Sequence, residues 1–542
     1  MTRTRTADAS LEDVSCDVAI VGYGPVGMIA AALLAQQGLD VVVVERYPER
    51  YTRSRAGHID GETMRTFQRL GIAEQVELVA RPMPRWQLVT AEREVLATIR
   101  LGEDGSGWKA DYLSYQPELE AIVDARAREL GARVAMGMTA QAVAQDEDGV
   151  RLLVRPTGDS AAPARTIRAA YLIGADGARS FVRTSQGITR RDLGFSATEQ
   201  LVLDFEHNDP DRDLPQLREV YQVLDVERPQ LAGRWSGGRW SRWEFAAVGG
   251  ETREDLEREE MCWKLLGTWG ITPEHGRIDR RAVYTFESTL AERWRRGRVL
   301  LLGDAAHTMP PFMGQGMLSG IRDARNLSWK LAAVLSGTAT DVLLDTYESE
   351  RVSHVTALIE ASMAVGETAL MTDPAQARLR DDALRQGSVP TPPAFPPLGE
   401  GLTASSGESP GSEVDGRPAP QARVAFDGVA DRLDEFVDPG WVIVSRHRVR
   451  EELFDEDQRR VLDALHVTFV HVTRGAIPGA YLDIDGEYDQ WFQATGKKAF
   501  LQRPDDYIFG AVNTLEELPA LVDRLAARLL ANGWLLTSDQ KA

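Results

Sequence analysis

Gly22-Tyr23-Gly24-Pro25-Val26-Gly27 is a GxGxxG run, and Glu45 stands eighteen residues after Gly27. In that spacing the first glycine permits a tight turn, the second lets a pyrophosphate approach the backbone, and the third lets a helix pack closely on a strand. N–H groups at the helix start favour the phosphate charge, and a carboxylate at the next strand end can accept hydrogen bonds from ribose hydroxyls. The chemistry implied is dinucleotide binding, although the motif alone does not separate FAD from NAD. A second set lies far along the chain in RVLLLGDAAHTMPPFMGQG, Arg298 to Gly316. Gly303-Asp304 would fix a carboxylate at a strand end, able to hold a polyol such as a ribityl chain. Gly314-Gln315-Gly316 would present unpaired N–H groups at a helix start, where they can stabilise negative charge on a reduced isoalloxazine ring. The plain alternative is a capped helix with an Asp at its entry.

The elements that must position these residues are legible from periodicity. Residues 17–21 read as a buried strand, 25–37 as a helix closed by Gly38, and 41–44 as a second strand, which together make a βαβ start. QPELEAIVDARARELGA, 116–132, reads as a helix, and an apolar strand then ends in the turn Gly174-Ala175-Asp176-Gly177. From about 189 to 287 the chain carries Trp235, Trp240 and Trp243 and reads as strands and loops that cover a pocket, part aromatic lining and part sheet core. A long helix is expected from about 320 to 335. Eight prolines between 389 and 421, with Gly and Ser among them, make regular structure unfavourable and mark a linker. Beyond it strands and helices return, including a helix opened by Thr514 with Glu517 in capping-box spacing. The division expected is 15–188 and 288–388 for the dinucleotide-binding domain, 189–287 for a substrate domain, 389–420 for the linker and 421–540 for a small α/β domain.

The chain has 542 residues, enough for several domains at roughly 150 residues each. Lys and Arg number 62 against 82 Asp and Glu, a formal charge of −20, which argues against nucleic acid or an anionic membrane as partner. Two cysteines, Cys16 and Cys262, exclude a disulfide framework and a thiolate metal cage, and fit a reducing cytoplasm. The start MTRTRTADAS lacks the apolar region of a secretory signal and reads as frayed. No apolar run reaches the length of about 18 residues that spans a bilayer. No spacing of His and carboxylate suggests a metal.

Gly22 to Gly27, the Gly174–Gly177 turn and Gly303-Asp304 occur in the order found in single-component, class A flavoprotein aromatic monooxygenases, which resemble para-hydroxybenzoate hydroxylase in fold. RAGHIDGETMRTFQRLG from Arg55, RWSRWEF from Arg239, YTFESTLAERWRRGR from Tyr284 and PPFMGQGMLSGIRDARNLSWKL from Pro310 look most like the 3-(3-hydroxyphenyl)propionate hydroxylases. The resemblance covers most of 15–400. It implies a Rossmann-type α/β FAD-binding domain with an inserted mixed-sheet substrate domain, FAD as cofactor, and NADH or NADPH as co-substrate without a Rossmann domain of its own. It further implies that Arg46, Arg55 and Gln116 lie near the FAD, that Asp176 of the DG turn serves FAD and the pyridine nucleotide, and that Pro311 sits beside the flavin, with Met317 and Leu318 following in the same segment. The stretch from about 421 looks like the thioredoxin-like domain of some phenol hydroxylase relatives. It has no cysteine, so thiol redox activity is excluded and a structural or homo-oligomer contact role is expected.

The reaction implied by the resemblance is hydroxylation of a phenolic ring with NAD(P)H and O2 through a flavin C4a-hydroperoxide, on a phenol similar to 3-(3-hydroxyphenyl)propionate. A larger polyketide-like aromatic, or a dehydrogenase or oxidase without oxygen insertion, is the alternative. Because a phenol has a pKa of about 10, a base or a strong hydrogen bond to its hydroxyl would raise ring nucleophilicity at neutral pH. Asp60 is the first candidate, since Ile59-Asp60-Gly61 resembles the acidic position of phenol hydroxylases; its other reading is an N-cap of the helix beginning near Glu62. Tyr284 could hydrogen-bond the phenol or simply pack. His58 and His307 adjoin flavin motifs and are taken as structural, and Arg239 and Arg242 as surface residues.

Overall fold

A computed structural model describes residues 14–102, 104–195, 199–388, 395–405 and 412–535. The expected frayed start, and the linker prolines at 390, 392, 393 and 410, lie outside these residues.

Val41–Glu45 opens with four valines, each at most 1% exposed. Such an unbroken apolar run belongs to a strand covered on both faces. It pairs in parallel with Val14–Val21 and Arg133–Met136; Val14–Val21 pairs in parallel with Arg165–Gly174, and that strand with Val299–Leu301. These strands form the centre of an eight-stranded sheet. The helix Pro25–Gln36 is apolar nearly all round and buried from Gly27 to Ala35, because it lies between the sheet and the helices Gln116–Glu129 and Gln315–Leu335. The last of these begins five residues before the expected position. Parallel strands share one carboxyl edge, so the segments after Val21, Val44, Gly174 and Leu301 all emerge on the same side, where open α/β sheets bind ligands.

A second sheet has seven strands in the order Gly276–Thr285, Glu199–His207, Trp240–Ala246, Gln230–Arg234, Val220–Val223, Arg85–Val89, Val95–Arg100. Its last two strands come from the segment before 189, so this layer draws on both sides of the composition change. The region 189–287 also holds two helices, Arg253–Leu256 and Glu259–Gly267, which strand propensity alone does not signal. They cover one face of the sheet, where Trp243, Phe245, Leu203 and Phe205 pack with Leu256, Cys262 and Leu266. By the two-residue alternation of a strand, Arg242 and Glu244 point to the opposite face.

The proline-rich segment has no regular element in its described parts, as expected, but it is not a free linker. Leu398, Leu402, Ala404 and Ala419 are buried, and Gly399 N–H donates to Glu350 O (2.9 Å) and Ala404 N–H to Phe509 O (2.7 Å). It is a strap laid between the FAD-type domain and a C-terminal seven-stranded sheet, which is flanked by the helices Glu456–Ala464, Glu487–Thr495 and Leu518–Ala531. The expected Thr514–Glu517 capping box does not form. Glu517 instead accepts from Asn513 N–H (2.8 Å), and Leu515–Glu517 is a single 3-10 turn that precedes Pro519 in the first turn of the helix. Among the described residues no helix is long and apolar enough to cross a membrane.

Candidate functional site

The two glycine-rich segments, 280 residues apart in sequence, meet. A Cβ on Gly303 would lie 3.2 Å from the Val26 side chain, and Val26 and Asp304 line one cavity of about 1100 Å3. That exceeds the roughly 300–1,000 Å3 of most ligand pockets, which leaves room for a dinucleotide and a second molecule. The cavity runs from the carboxyl edge of the first sheet to the inner face of the second.

At the first end, glycine is required for two different reasons. Gly22 has φ +104°, and a Cβ there would lie 2.3 Å from Ala175 O, while a Cβ on Gly27 would lie 2.2 Å from Gly22 O. These two positions hold strand, turn and helix together, and Gly27 does not itself line the cavity. Gly24 is different: a Cβ there meets nothing within 4 Å, so its side faces open cavity. The helix it starts has no side-chain cap and no acid in its first turn, leaving its first N–H groups to a ligand. Glu45 lines the cavity with its carboxylate steadied by Tyr23 N–H (2.8 Å) and Tyr47 N–H (3.0 Å).

Asp176 accepts from Val182 N–H (3.0 Å) through one oxygen, and its other oxygen is buried with no partner among the described residues. Burial raises its pKa. Asp304 is exposed into the cavity, and the protein around it raises its pKa by desolvation. The Gly303 turn is braced from behind by Asp323, which accepts from Gly303 N–H (3.1 Å), His307 (2.7 Å) and Arg351 (2.9 Å); His307 is structural, as expected. Gln116 Oε1 accepts from Arg55 and Ala56 N–H, both at 2.7 Å, while its amide donates to Glu120, so it shapes the loop that carries Arg55. Arg46 and Arg55 are exposed and line the cavity, Arg55 lying over the Tyr51 ring.

Gly314, at φ +64°, starts the 21-residue helix Gln315–Leu335 without a side-chain cap. Pro25, Pro311, Gly314, Gln315, Gly316 and Met317 all line the cavity. Leu318 does not: it is 0% exposed and belongs to the core, because one turn into the helix the side chain points inward. An empty space at Gly24, an orphaned Asp176 oxygen and two uncapped helix starts facing one cavity fit FAD.

Asp60 caps the helix Gly61–Arg69, accepting from Thr63 N–H (2.9 Å), and is ion-paired with Arg322. Burial pulls its pKa up, yet Arg322 and the Thr63 bond hold it below the usual carboxylate range. Arg322 also donates to Gln315 Oε1 (2.9 Å) and Glu62 (2.7 Å), and the C-terminal Tyr507 hydroxyl donates to Glu62 (2.7 Å). His58 lines the cavity, hydrogen-bonded to Asp111 and packed on Gly314.

At the sheet end, Tyr284 is half-buried and lines the cavity, with the Arg280 guanidinium 4.9 Å from its ring centroid. Trp235 lines the cavity, Trp240 stacks on Tyr115 (3.9 Å) and Trp243 lies in the core of the far face. Arg239 is exposed as expected, but Arg242 is not a surface residue. It is 4% exposed, paired with Asp204 at 2.7 Å, and donates to the Ser54 and Arg55 carbonyls. Sequence reasoning also passed over Glu244, which lines the cavity two residues on. The available signal was the alternation Arg242-Trp243-Glu244-Phe245, polar against aromatic, which marks a strand with two different faces.

A family model described as FAD binding domain matches residues 15–362, and one described as HcaD C-terminal domain matches 416–528. A probable NADH-specific resorcinol 4-hydroxylase of Rhodococcus jostii is 38% identical over 94% of both chains. A 3-(3-hydroxy-phenyl)propionate/3-hydroxycinnamic acid hydroxylase of Burkholderia vietnamiensis is 37% identical over 71% of this chain and 61% of that protein. Among solved structures, aklavinone-11 hydroxylase with FAD and aklavinone superposes with a TM-score of 0.76 at 24% identity, covering 95% of this chain and 100% of that one, which bears on the fold. With its dinucleotide cradle, its second compartment and these relatives, the chain belongs to the FAD-dependent, NAD(P)H-consuming aromatic hydroxylases.

Proposed function

We propose that the enzyme hydroxylates a small monocyclic phenol of the resorcinol type with NADH as the electron donor. The observation that carries this reading is the single cavity whose one end is a dinucleotide cradle and whose other end is a mainly apolar sheet wall with a few polar side chains. The full-length match to a resorcinol hydroxylase favours a diol over a phenylpropionate, whose relative is matched over a smaller share of its own length.

FAD, when bound, supplies the acceptance of hydride and the activation of dioxygen. Gly24 and the first turn of its helix would hold the pyrophosphate, Glu45 the ribose and Asp304 the ribityl chain. The uncapped start of Gln315–Leu335 would turn its partial positive charge towards the isoalloxazine end of a bound FAD. Tyr284 offers a hydroxyl to the phenol from the sheet. Asp60, with a depressed pKa and its oxygens already engaged, is poorly matched to accept a proton from a group of pKa about 10. Its contribution is to fix Arg322 and, through it, Gln315 beside the cofactor. Leu88, Val202, Val220 and Leu231 surround the phenol with apolar surface and exclude water.

Reaction of the FAD-loaded protein with NADH and resorcinol under 18O2 tests this reading. One labelled oxygen in a trihydroxybenzene product is expected. An unlabelled product, or NADH consumed only to hydrogen peroxide, overturns it.

A further inference from the structure

Val202, Glu244, Leu231, Gln222 and Leu88 stand directly across from one another on five adjacent strands. Residues in one such row share a face of the sheet, and all five line the cavity. Glu244 is therefore the one acid in a row otherwise formed by three aliphatic side chains and an amide. It has no hydrogen bond or ion pair with any described residue. The nearest cation on its own strand, Arg242, is committed to Asp204 and to the Ser54 and Arg55 carbonyls, and Gln222 spends its amide on Gln230 O (3.1 Å).

A carboxyl group set in apolar surroundings without a protein partner costs stability. Burial accordingly pushes the Glu244 pKa up, with Arg242 lowering it and Asp204 raising it further. The fold does not need this acid: the packing that holds the strand, through Trp243 and Phe245, is on the other face. What completes its hydrogen bonding must come from the cavity, and the partner that its ionised form needs is a donor, not another carboxylate.

Resting on the phenol-hydroxylase reading, we propose that Glu244 is the anchor for a ring hydroxyl of the substrate, accepting a hydrogen bond from the phenolic O–H, and that it selects rings presenting a donor there over rings presenting a carboxylate or an ether. Such a bond also raises electron density at the ring carbons ortho and para to that hydroxyl, the positions that oxygen must reach. Glu244 thereby takes the part that sequence reasoning assigned to Asp60, whose oxygens are occupied by Thr63 and Arg322.

The test is calorimetric titration of FAD-loaded protein, without NADH, with resorcinol, 3-methoxyphenol and 1,3-dimethoxybenzene, which carry two, one and no hydroxyl donors on similar frames. Wild-type Kd is expected to rise by about 10- to 100-fold at the step that removes the donor meeting Glu244, the range for hydrogen bonds to a charged group. Glu244→Leu should bring that step to within about threefold, and Glu244→Gln, which keeps an acceptor oxygen, should retain part of it. Flavin content should be unchanged in both, and Glu244→Leu should melt no lower than wild type, as expected when a half-buried acid without a partner in an apolar row is replaced by an apolar residue. A wild-type series with no step, or a step that survives Glu244→Leu, overturns the proposal. If the series behaves as expected but no phenol is hydroxylated, the anchor stands and the hydroxylase reading fails; hydroxylation with an unchanged series gives the reverse.

Discussion

Buried charge is treated in opposite ways at two places in this molecule. At the seam between the FAD-type and C-terminal domains, charges come in matched groups. Glu350, 0% exposed, accepts from Arg503 through both oxygens (2.9 and 2.8 Å), from Lys330 (2.7 Å), Asn326 (2.8 Å) and the strap's Leu402 N–H (2.7 Å). Asp434 and Asp506 are shared among Arg65, Arg69 and Arg325. In the cavity, by contrast, one buried oxygen of Asp176 has no partner among the described residues, and the half-buried Glu244 carboxyl lines the cavity. The same desolvation cost applies at both places. At the seam the protein's own ion pairs meet that cost; on the cavity wall it is left to whatever the cavity holds.

The largest effect should come from breaking a matched group. Glu350→Ala leaves Lys330 without a carboxylate partner and Arg503 with Asp505 alone, and should lower stability by about 3–5 kcal/mol, read as the denaturant midpoint. The same group sets an acid limit. Although burial favours the neutral form, Arg503 and Lys330 hold Glu350 well below its ordinary value of 4.5, so its contribution is fully present above that value and is lost as pH falls towards the folded-state pKa. Wild type should therefore lose stability between about pH 5 and about pH 3 more steeply than Glu350→Gln.

Next in size is Gly24→Val. The side chain meets no protein atom within 4 Å at its Cβ, so the melting temperature should hold while flavin retention falls by about tenfold or more, measured as bound FAD per chain. Gly22→Ala, which collides with Ala175 O, should instead impair folding, sharpening the distinction between the cavity-facing glycine and the structural one.

Asp60→Asn should keep FAD bound but slow hydroxylation and divert reducing equivalents to peroxide, because Arg322 and Gln315 lose their anchor; peroxide formed per NADH is the measurement. Full coupling in this variant would separate the Asp60–Arg322 pair from the reaction. The smallest effect expected is for Tyr507→Phe, which removes one donor from Glu62 at about 1–2 kcal/mol. A small loss of stability with a slight rise in peroxide leak would mark the C-terminal domain as a support for the Arg322 cluster.

The cradle was legible in sequence because its requirements are local. A glycine at a positive φ, a glycine under a helix and an acid at a strand end each follow from spacing within about 25 residues. The meeting of Val26 with Gly303 was legible only through the order of motifs seen in relatives. Arg242 and Glu244 were not legible. The alternation in RWSRWEF shows that two faces exist, but which face is covered depends on helices 253–267, and Arg242's partner lies 38 residues away on the neighbouring strand. Likewise the prolines after 388 foretell the lack of regular structure but not its burial, which rests on Glu350 and Phe509 far away in the chain. Tyr507 and Glu62 are 445 residues apart, beyond the reach of any local pattern.

Crystallography of the protein loaded with FAD and resorcinol tests most directly whether unmet polar groups mark the ligand site. The flavin ring is expected between Asp304 and the Gly314–Met317 turn, the pyrophosphate at Gly24, and a ring hydroxyl within hydrogen-bond distance of the Glu244 carboxyl. FAD bound elsewhere, or a phenol whose hydroxyls ignore Glu244 while the acid finds a protein partner, would contradict this expectation.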